Sequence, residues 1–80
     1  MSKVVVYTMP GCPACAGVKA YLREKGVEFT EKDVLADEET MAEFRAAGYR
    51  GTPVTVVGDT AVTGLDKPKL DDALASLGQR

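Results

Sequence analysis

The sequence predicts an α/β fold in which three helices pack on a mixed four-stranded sheet. Three observations support this prediction: a run of β-branched residues near the amino terminus, apolar residues at helical spacing in three later segments, and a two-residue turn between two short strand-like runs. The elements follow one another in the order βαβαββα. The two strands beside the turn are antiparallel by construction.

The first strand is predicted over residues 3–8. Residues 4–7 form a continuous β-branched and aromatic run, which is typical of a central strand buried on both faces. Residues 9–11 contain a proline and a glycine, so they end the strand and lead into a helix that begins at Cys12 and ends at Gly26. The apolar face of this helix carries Ala14, Cys15, Val18, Tyr21 and Leu22.

A second strand is predicted over residues 27–34, because Val27 and Phe29 alternate with polar residues. A strand with one solvent-exposed face is expected near an edge of the sheet. A second helix follows, with Asp37 as its N-cap and Gly48 at its end. The inner face of this helix carries Met41 and Phe44.

Residues 54–57 and 60–63 are predicted as two short strands. They are joined by Gly58-Asp59, where glycine makes a tight turn sterically easy. The last helix is expected to begin at the N-cap Asp66 and to end at Gly78. Its apolar stripe carries Leu70, Ala73, Leu74 and Leu77.

Length and composition limit the classes of function. A chain of 80 residues that is 45% hydrophobic and 28% charged is expected to form a single domain over residues 1–80. The apolar run of residues 4–6 is shorter than a signal-peptide core or a membrane span, which favours a soluble cytoplasmic protein without a membrane partner. A net charge of −2 offers no basic field for phosphates, so nucleic acid is not expected as a partner.

The two cysteines of the chain are both in the segment Cys12-Pro13-Ala14-Cys15. A close pair in a reducing compartment is more often catalytic or metal-binding than structural. With Cys12 as N-cap and Pro13 at the first helical position, the sulfur of Cys12 should face the amides of Ala14 and Cys15. These donors and the positive helix end favour the thiolate, so Cys12 is predicted as a nucleophile. Cys15, one turn inside the helix, should be more buried and should resolve a mixed disulfide.

Other uses of the cysteine pair are weighed against thiol–disulfide chemistry. Zinc usually takes four protein ligands, and the chain has no histidine and no further cysteine, so no metal ligands are predicted. The lack of histidine also excludes protease-type Cys-His catalysis. An iron–sulfur cluster bridged between two copies and a non-enzymatic redox-sensing interaction domain stay open as alternatives.

The chain resembles the glutaredoxins over nearly its whole length. The matching features, in order, are the strand before the motif, Cys12-Pro13-Ala14-Cys15, Thr52-Pro53 before the third strand, and Thr63-Gly64-Leu65-Asp66 before the last helix. The segments at residues 48–54 and 64–66 look most like the short glutaredoxin-like redoxins, including the NrdH-type proteins that reduce ribonucleotide reductase.

This resemblance implies a thioredoxin-like fold and a dithiol–disulfide oxidoreductase that reduces protein disulfides. It implies a cis bond before Pro53, with the backbone of Thr52 offered to an extended substrate peptide. A disulfide-containing protein is the expected substrate, with ribonucleotide reductase as a candidate. The residues expected to contact substrate are Pro13, Ala14, Arg50, Thr52, Pro53, Gly64, Leu65 and Asp66.

The chain departs from glutathione-using glutaredoxins at three places. Met9 replaces a usual lysine, Ala14 replaces the tyrosine of CPYC, and Thr63-Gly64 replaces a Gly-Gly pair. The start of the last helix and Arg50 could still receive the charged end of a small peptide. Glutathione and thioredoxin reductase with NADPH therefore both remain candidate electron sources. We expect a monomer with no tightly bound cofactor.

Overall fold

The computed structural model describes residues 4–78 and confirms the predicted order of elements. The elements are β1 Val4–Thr8, α1 Pro13–Glu24, β2 Thr30–Asp33, α2 Glu38–Ala46, β3 Val54–Val57, β4 Thr60–Thr63 and α3 Lys67–Gly78. Within the described residues, no helix is both long and apolar enough to cross a bilayer.

The four strands form one mixed sheet in the order β2-β1-β3-β4. β1 runs parallel to β2 and antiparallel to β3, and β3 and β4 form the predicted hairpin. β1 is therefore central and β2 is an edge strand, as the sequence predicted. Val54 lies opposite both Tyr7 and Thr63. This register brings the loops after β1, before β3 and after β4 together at the same end of the strands.

Alternating side chains of the central strands build a core on each face of the sheet. Val4 and Val6 pack on one face against Val18 and Leu22 of α1 and Leu70 of α3. The other face packs against α2, and its core holds Val34, Phe44 and Val54, with Tyr7, Met9, Met41, Tyr49 and Val56 partly buried around them. Period-two alternation thus allows one short strand to serve both cores.

The helix ends follow the sequence predictions. A carboxylate oxygen of Asp37 accepts a hydrogen bond from the Thr40 amide at 2.7 Å, which holds the pKa of Asp37 below its usual value. Asp66 accepts from the Lys69 amide at 3.2 Å in the same way. Gly26 and Gly48 follow the first two helices with φ of +72° and +88°, the left-handed conformation that glycine adopts without strain.

The second strand is shorter than predicted, because it covers Thr30–Asp33 and not residues 27–34. The amide of Val27 donates to the carbonyl of Leu22 at 2.9 Å, so the backbone there closes the turn after α1. Val27 and Phe29 still pack against the core, which explains their apolar character without a strand. Residues 34–36 form a turn. Two predictions fall outside the described residues: Lys3 in the first strand and the side chain of Leu77 on the last helix.

Candidate functional site

The site lies at the end of the strands where the loops after β1, before β3 and after β4 meet. The hydroxyl of Thr52, in the loop before β3, lies 3.7 Å from the sulfur of Cys12. The amide of Gly64, in the loop after β4, donates to the carbonyl of Pro53 at 2.9 Å. The sheet register and these two contacts bring together residues that are 40 and 11 positions apart in the sequence.

Cys12 is the N-cap of α1, as predicted. Its backbone is extended, with φ −105° and ψ 103°, and Pro13 occupies the first helical position. The amide of Cys15 donates to the sulfur of Cys12 at 3.1 Å. The expected second donor, the amide of Ala14, makes no such hydrogen bond within the described residues. One backbone donor and the positive helix end therefore face this sulfur, and both favour its thiolate.

Cys15 is far less accessible than Cys12. Its side chain is 2% exposed, whereas Cys12 is half-buried. The two sulfurs are joined in a disulfide, with the Cα atoms 5.2 Å apart. A substrate sulfur can therefore reach Cys12 directly, while Cys15 can reach only a partner already close to Cys12.

Thr52, which was predicted for its backbone, also contributes a hydroxyl to the site. The peptide bond between Thr52 and Pro53 is cis, in agreement with the resemblance. Pro53 is buried, and Thr52 directs its hydroxyl at the sulfur of Cys12. Because a thiolate accepts hydrogen bonds better than a thiol, this hydroxyl is a second group that stabilises the ionised form of Cys12.

We therefore predict that Thr52→Val makes Cys12 harder to ionise. A lost hydrogen bond of about 1 kcal/mol corresponds to roughly a fivefold lower thiolate-to-thiol ratio at neutral pH. The measurement is ultraviolet thiolate absorbance against pH, in a Cys15→Ser background that leaves one thiol. Thr52→Ser keeps the hydroxyl and is the matched control. A Thr52→Val protein that ionises as readily as its parent would contradict the prediction.

A depression lies beside the two cysteines and includes side chains from β1, α1 and β2. It has a volume of about 480 Å³, and Thr8, Lys19, Glu31 and Asp33 line it together with both cysteines. Glu31 accepts hydrogen bonds from Lys19 Nζ and from the Thr8 hydroxyl, both at 2.9 Å. The bond from Lys19, followed by that from Thr8, lowers the pKa of Glu31 below its ordinary value. The charge of Lys19 is thus paired and does not act on Cys12 as an isolated cation.

Thr8 and Glu31 were not predicted as part of the site. In the parallel pairing of β1 with β2, Glu31 lies opposite Val6, and the next residue, Lys32, lies opposite Tyr7. This register brings the Glu31 carboxylate to Thr8 at the end of β1. The contact between Glu31 and Thr8 could have been predicted only if the pairing of β1 with β2 were already known.

Arg50 lies away from the cysteines, in a separate depression. That second depression has a volume of about 510 Å³, and its lining is Met9, Val34, Met41, Phe44, Arg45, Gly48, Tyr49 and Arg50. Met9 lines both depressions and is the link between them. None of the other predicted contact residues lines this second depression.

Beside this second depression, the rings of Tyr7, Phe44 and Tyr49 pack with centroids 5.5 to 6.0 Å apart. Burial, together with a 2.6 Å hydrogen bond to Glu43, raises the pKa of Tyr7 to about 12. Tyr7 therefore stays neutral at physiological pH, and its ring packs against the core on the α2 side.

The remaining predicted contact residues lie at the starts of α1 and α3. Pro13 is exposed and Ala14 half-buried in the first turn of α1, while Leu65 is exposed and Asp66 half-buried before α3. The carboxylate of Asp66 is already engaged as the cap of α3. Across residues 4–78, no three His, Cys, Asp or Glu side chains cluster in a way that could hold a metal ion.

A family model and a sequence relative both match this chain to the glutaredoxins. The glutaredoxin family model matches residues 4–62. A glutaredoxin from Pseudomonas aeruginosa is 40% identical over 67 residues, which cover 82% of this chain and 80% of that protein.

Two solved structures have closely similar folds. The thioredoxin-like protein BC3987, in a mutant form, superposes with a TM-score of 0.86 at 32% identity and covers 94% of this chain and 97% of its own. The glutaredoxin-like protein NrdH-redoxin from Escherichia coli, described as having a thioredoxin-like activity profile, gives a TM-score of 0.80 at 26% identity, with coverage of 86% and 91%. The predicted thioredoxin-like fold is confirmed, as is the likeness to NrdH-type redoxins.

Proposed function

This chain belongs to the glutaredoxin family and is a thiol–disulfide oxidoreductase; from that premise we propose that it reduces disulfide bonds of other proteins through a mixed disulfide on Cys12. The observation that carries this proposal is the asymmetry of the cysteine pair. Cys12 is accessible and receives hydrogen bonds from the Cys15 amide and the Thr52 hydroxyl, whereas Cys15 is buried beside it.

The reaction has two exchange steps. The Cys12 thiolate attacks one sulfur of the substrate disulfide, an S–S bond forms between them, and the other substrate sulfur leaves as a thiolate and takes up a proton. Cys15 then loses its proton and attacks the sulfur of Cys12, which releases the second substrate sulfur. Two electrons pass to the substrate, and the protein is left with the Cys12–Cys15 disulfide.

We propose that the substrate binds as an extended segment along Thr52. No backbone hydrogen bond within residues 4–78 engages the N–H or C=O of Thr52, although the next residue, Pro53, already accepts from Gly64. A free donor and acceptor beside Cys12 can add a strand-like segment by main-chain bonds, which gives affinity with little dependence on side chains. Pro13, Ala14, Gly64 and Leu65 would border that segment.

Thioredoxin reductase with NADPH is the electron source that we propose. Glutathione carries two carboxylates and one ammonium, and the depression beside the cysteines contains Glu31 and Asp33, with Lys19 already paired. Met9 supplies no cation there, and Arg50 lies in the other depression. The E. coli NrdH-redoxin, whose activity profile is described as thioredoxin-like, is one of the close structural relatives.

We further propose that the chain acts as a monomeric single domain in the cytoplasm, where a reducing environment keeps the pair available as a dithiol. Ribonucleotide reductase is a candidate among its protein substrates. No cofactor is required by the two exchange steps.

The deciding experiment compares two reducing systems with insulin as the protein disulfide. The oxidised protein is supplied with NADPH and thioredoxin reductase, or with NADPH, glutathione and glutathione reductase, and NADPH consumption is followed. We expect turnover with thioredoxin reductase. Faster turnover with glutathione would overturn the choice of reductant, and no insulin reduction with either system would overturn the proposed function.

A further inference from the structure

Gly17, in the middle of α1, forms a notch that the side chain of Leu65 fills. A methyl group placed on the Cα of Gly17 would lie 2.8 Å from Cδ2 of Leu65, closer than carbon atoms approach without displacement. The backbone of Gly17 does not need glycine, because its φ is not positive. The space taken by Leu65 therefore explains a glycine at this position.

The glycine carries an energetic cost in a helix. Glycine inside a helix is about 0.5–1 kcal/mol less favourable than alanine, since it loses more backbone freedom on folding. Gly17 is half-buried, and the helix residues at positions 16 and 20 are both alanine. The helix itself would therefore accept a methyl group at position 17. A contact that justifies this cost has to lie outside the helix, and Leu65 provides it.

Leu65 is an apolar side chain left partly in solvent, one residue after Gly64, whose amide bonds to Pro53 in the loop that reaches Cys12. It is 44% exposed, and the other large hydrophobic with comparable exposure in the described residues, Leu35, lies in the turn between β2 and α2. The backbone on both sides of Leu65 is held, because Gly64 bonds to Pro53 and Asp66 caps α3. The side chain of Leu65 is thus the adjustable part of a fixed loop.

We propose that Gly17 is a positioning residue: its missing side chain seats Leu65 low against α1, and the seated Leu65 forms an apolar contact for the segment that flanks a substrate disulfide. This inference rests on the proposed function. It names the favoured substrate class as protein disulfides with an apolar side chain beside the reactive sulfur. Gly17 acts only through Leu65 and touches neither sulfur nor substrate.

The test compares four proteins: the parent, Gly17→Ala, Leu65→Ala and the double variant. Each is prereduced, and second-order rate constants are measured for its oxidation by insulin and by hydroxyethyl disulfide, which has no peptide segment beside its disulfide. We expect each single variant to react with insulin about fivefold more slowly, the equivalent of about 1 kcal/mol of lost apolar contact. For Gly17→Ala, the rate with hydroxyethyl disulfide should stay within about twofold of the parent.

The double variant decides whether Gly17 works through Leu65. Once Leu65 is truncated, the methyl of Gly17→Ala has nothing to displace, so the double variant should match Leu65→Ala alone. Multiplied losses in the double variant, an unchanged or faster insulin rate in Gly17→Ala, or a parallel loss of Gly17→Ala with hydroxyethyl disulfide would each overturn the proposal. Thermal unfolding of all four proteins confirms that they are folded. A parent that reduces neither disulfide would instead overturn the proposed function.

Discussion

A Cys12→Ser variant is expected to lose reduction of insulin by roughly three orders of magnitude or more, as removal of a catalytic nucleophile commonly does. A serine hydroxyl at this position is essentially un-ionised at neutral pH and cannot form the mixed disulfide. Cys15 cannot take over the attack, because its side chain is 2% exposed. The measurement is NADPH-coupled insulin reduction with the preferred reductase.

Cys15→Ser is the matched partner of this experiment, because it removes the other sulfur by the same substitution. It should also lose turnover, yet it should still attack substrate and accumulate adducts linked through Cys12, which mass spectrometry of a non-reduced digest identifies. Cys12→Ser should give no adducts. Equal amounts of adduct from both variants would contradict the assignment of nucleophile and resolving thiol.

Leu22→Ala is expected to have the largest effect on stability, lowering the free energy of unfolding by about 2–5 kcal/mol. Leu22 is 0% exposed and lies in the core between α1 and the sheet, so truncation removes apolar contacts and leaves a cavity. Marginal stabilities of about 5–15 kcal/mol make such a loss a large fraction of the total. Urea unfolding followed by circular dichroism measures it.

Leu35→Ala is the matched control, because it is the same substitution on a leucine that is 59% exposed. Its free energy of unfolding should change by no more than about 0.5 kcal/mol. Similar losses in the two variants would mean that Leu22 does not occupy the closed core described above. If a folded Leu22→Ala protein reduces insulin more slowly, that result would indicate that this core also positions α1.

Some features were predictable because short stretches of sequence determine them. Cys12-Pro13 specifies a helix start at the first cysteine, since proline at the first helical position loses no hydrogen bond. Gly58-Asp59 specifies the hairpin, and Asp37 specifies the start of α2. Each of these depends on groups within four residues of one another. The order βαβαββα follows once such local signals are read in sequence.

Prediction was less complete where apolar residues serve the core without joining a strand. Val27 and Phe29 have the alternation of a strand, yet their side chains pack against the core from a loop. Arg50 was predicted as a substrate contact because its guanidinium can bind a carboxylate, and it lines the depression on the α2 side. Periodicity reports that a side chain is buried, and it does not report the hydrogen-bond partner of the backbone.

By itself the sequence determined the fold class, the position of the cysteine pair at a helix start and the greater burial of Cys15. The tertiary structure alone decided that the Thr52 hydroxyl reaches Cys12, that Glu31 joins Thr8 and Lys19, and that Leu65 fills the notch at Gly17. The physical reason is distance along the chain. Helix starts and turns are set by bonds between near neighbours, whereas these contacts depend on strand register and on how α1 packs against the sheet.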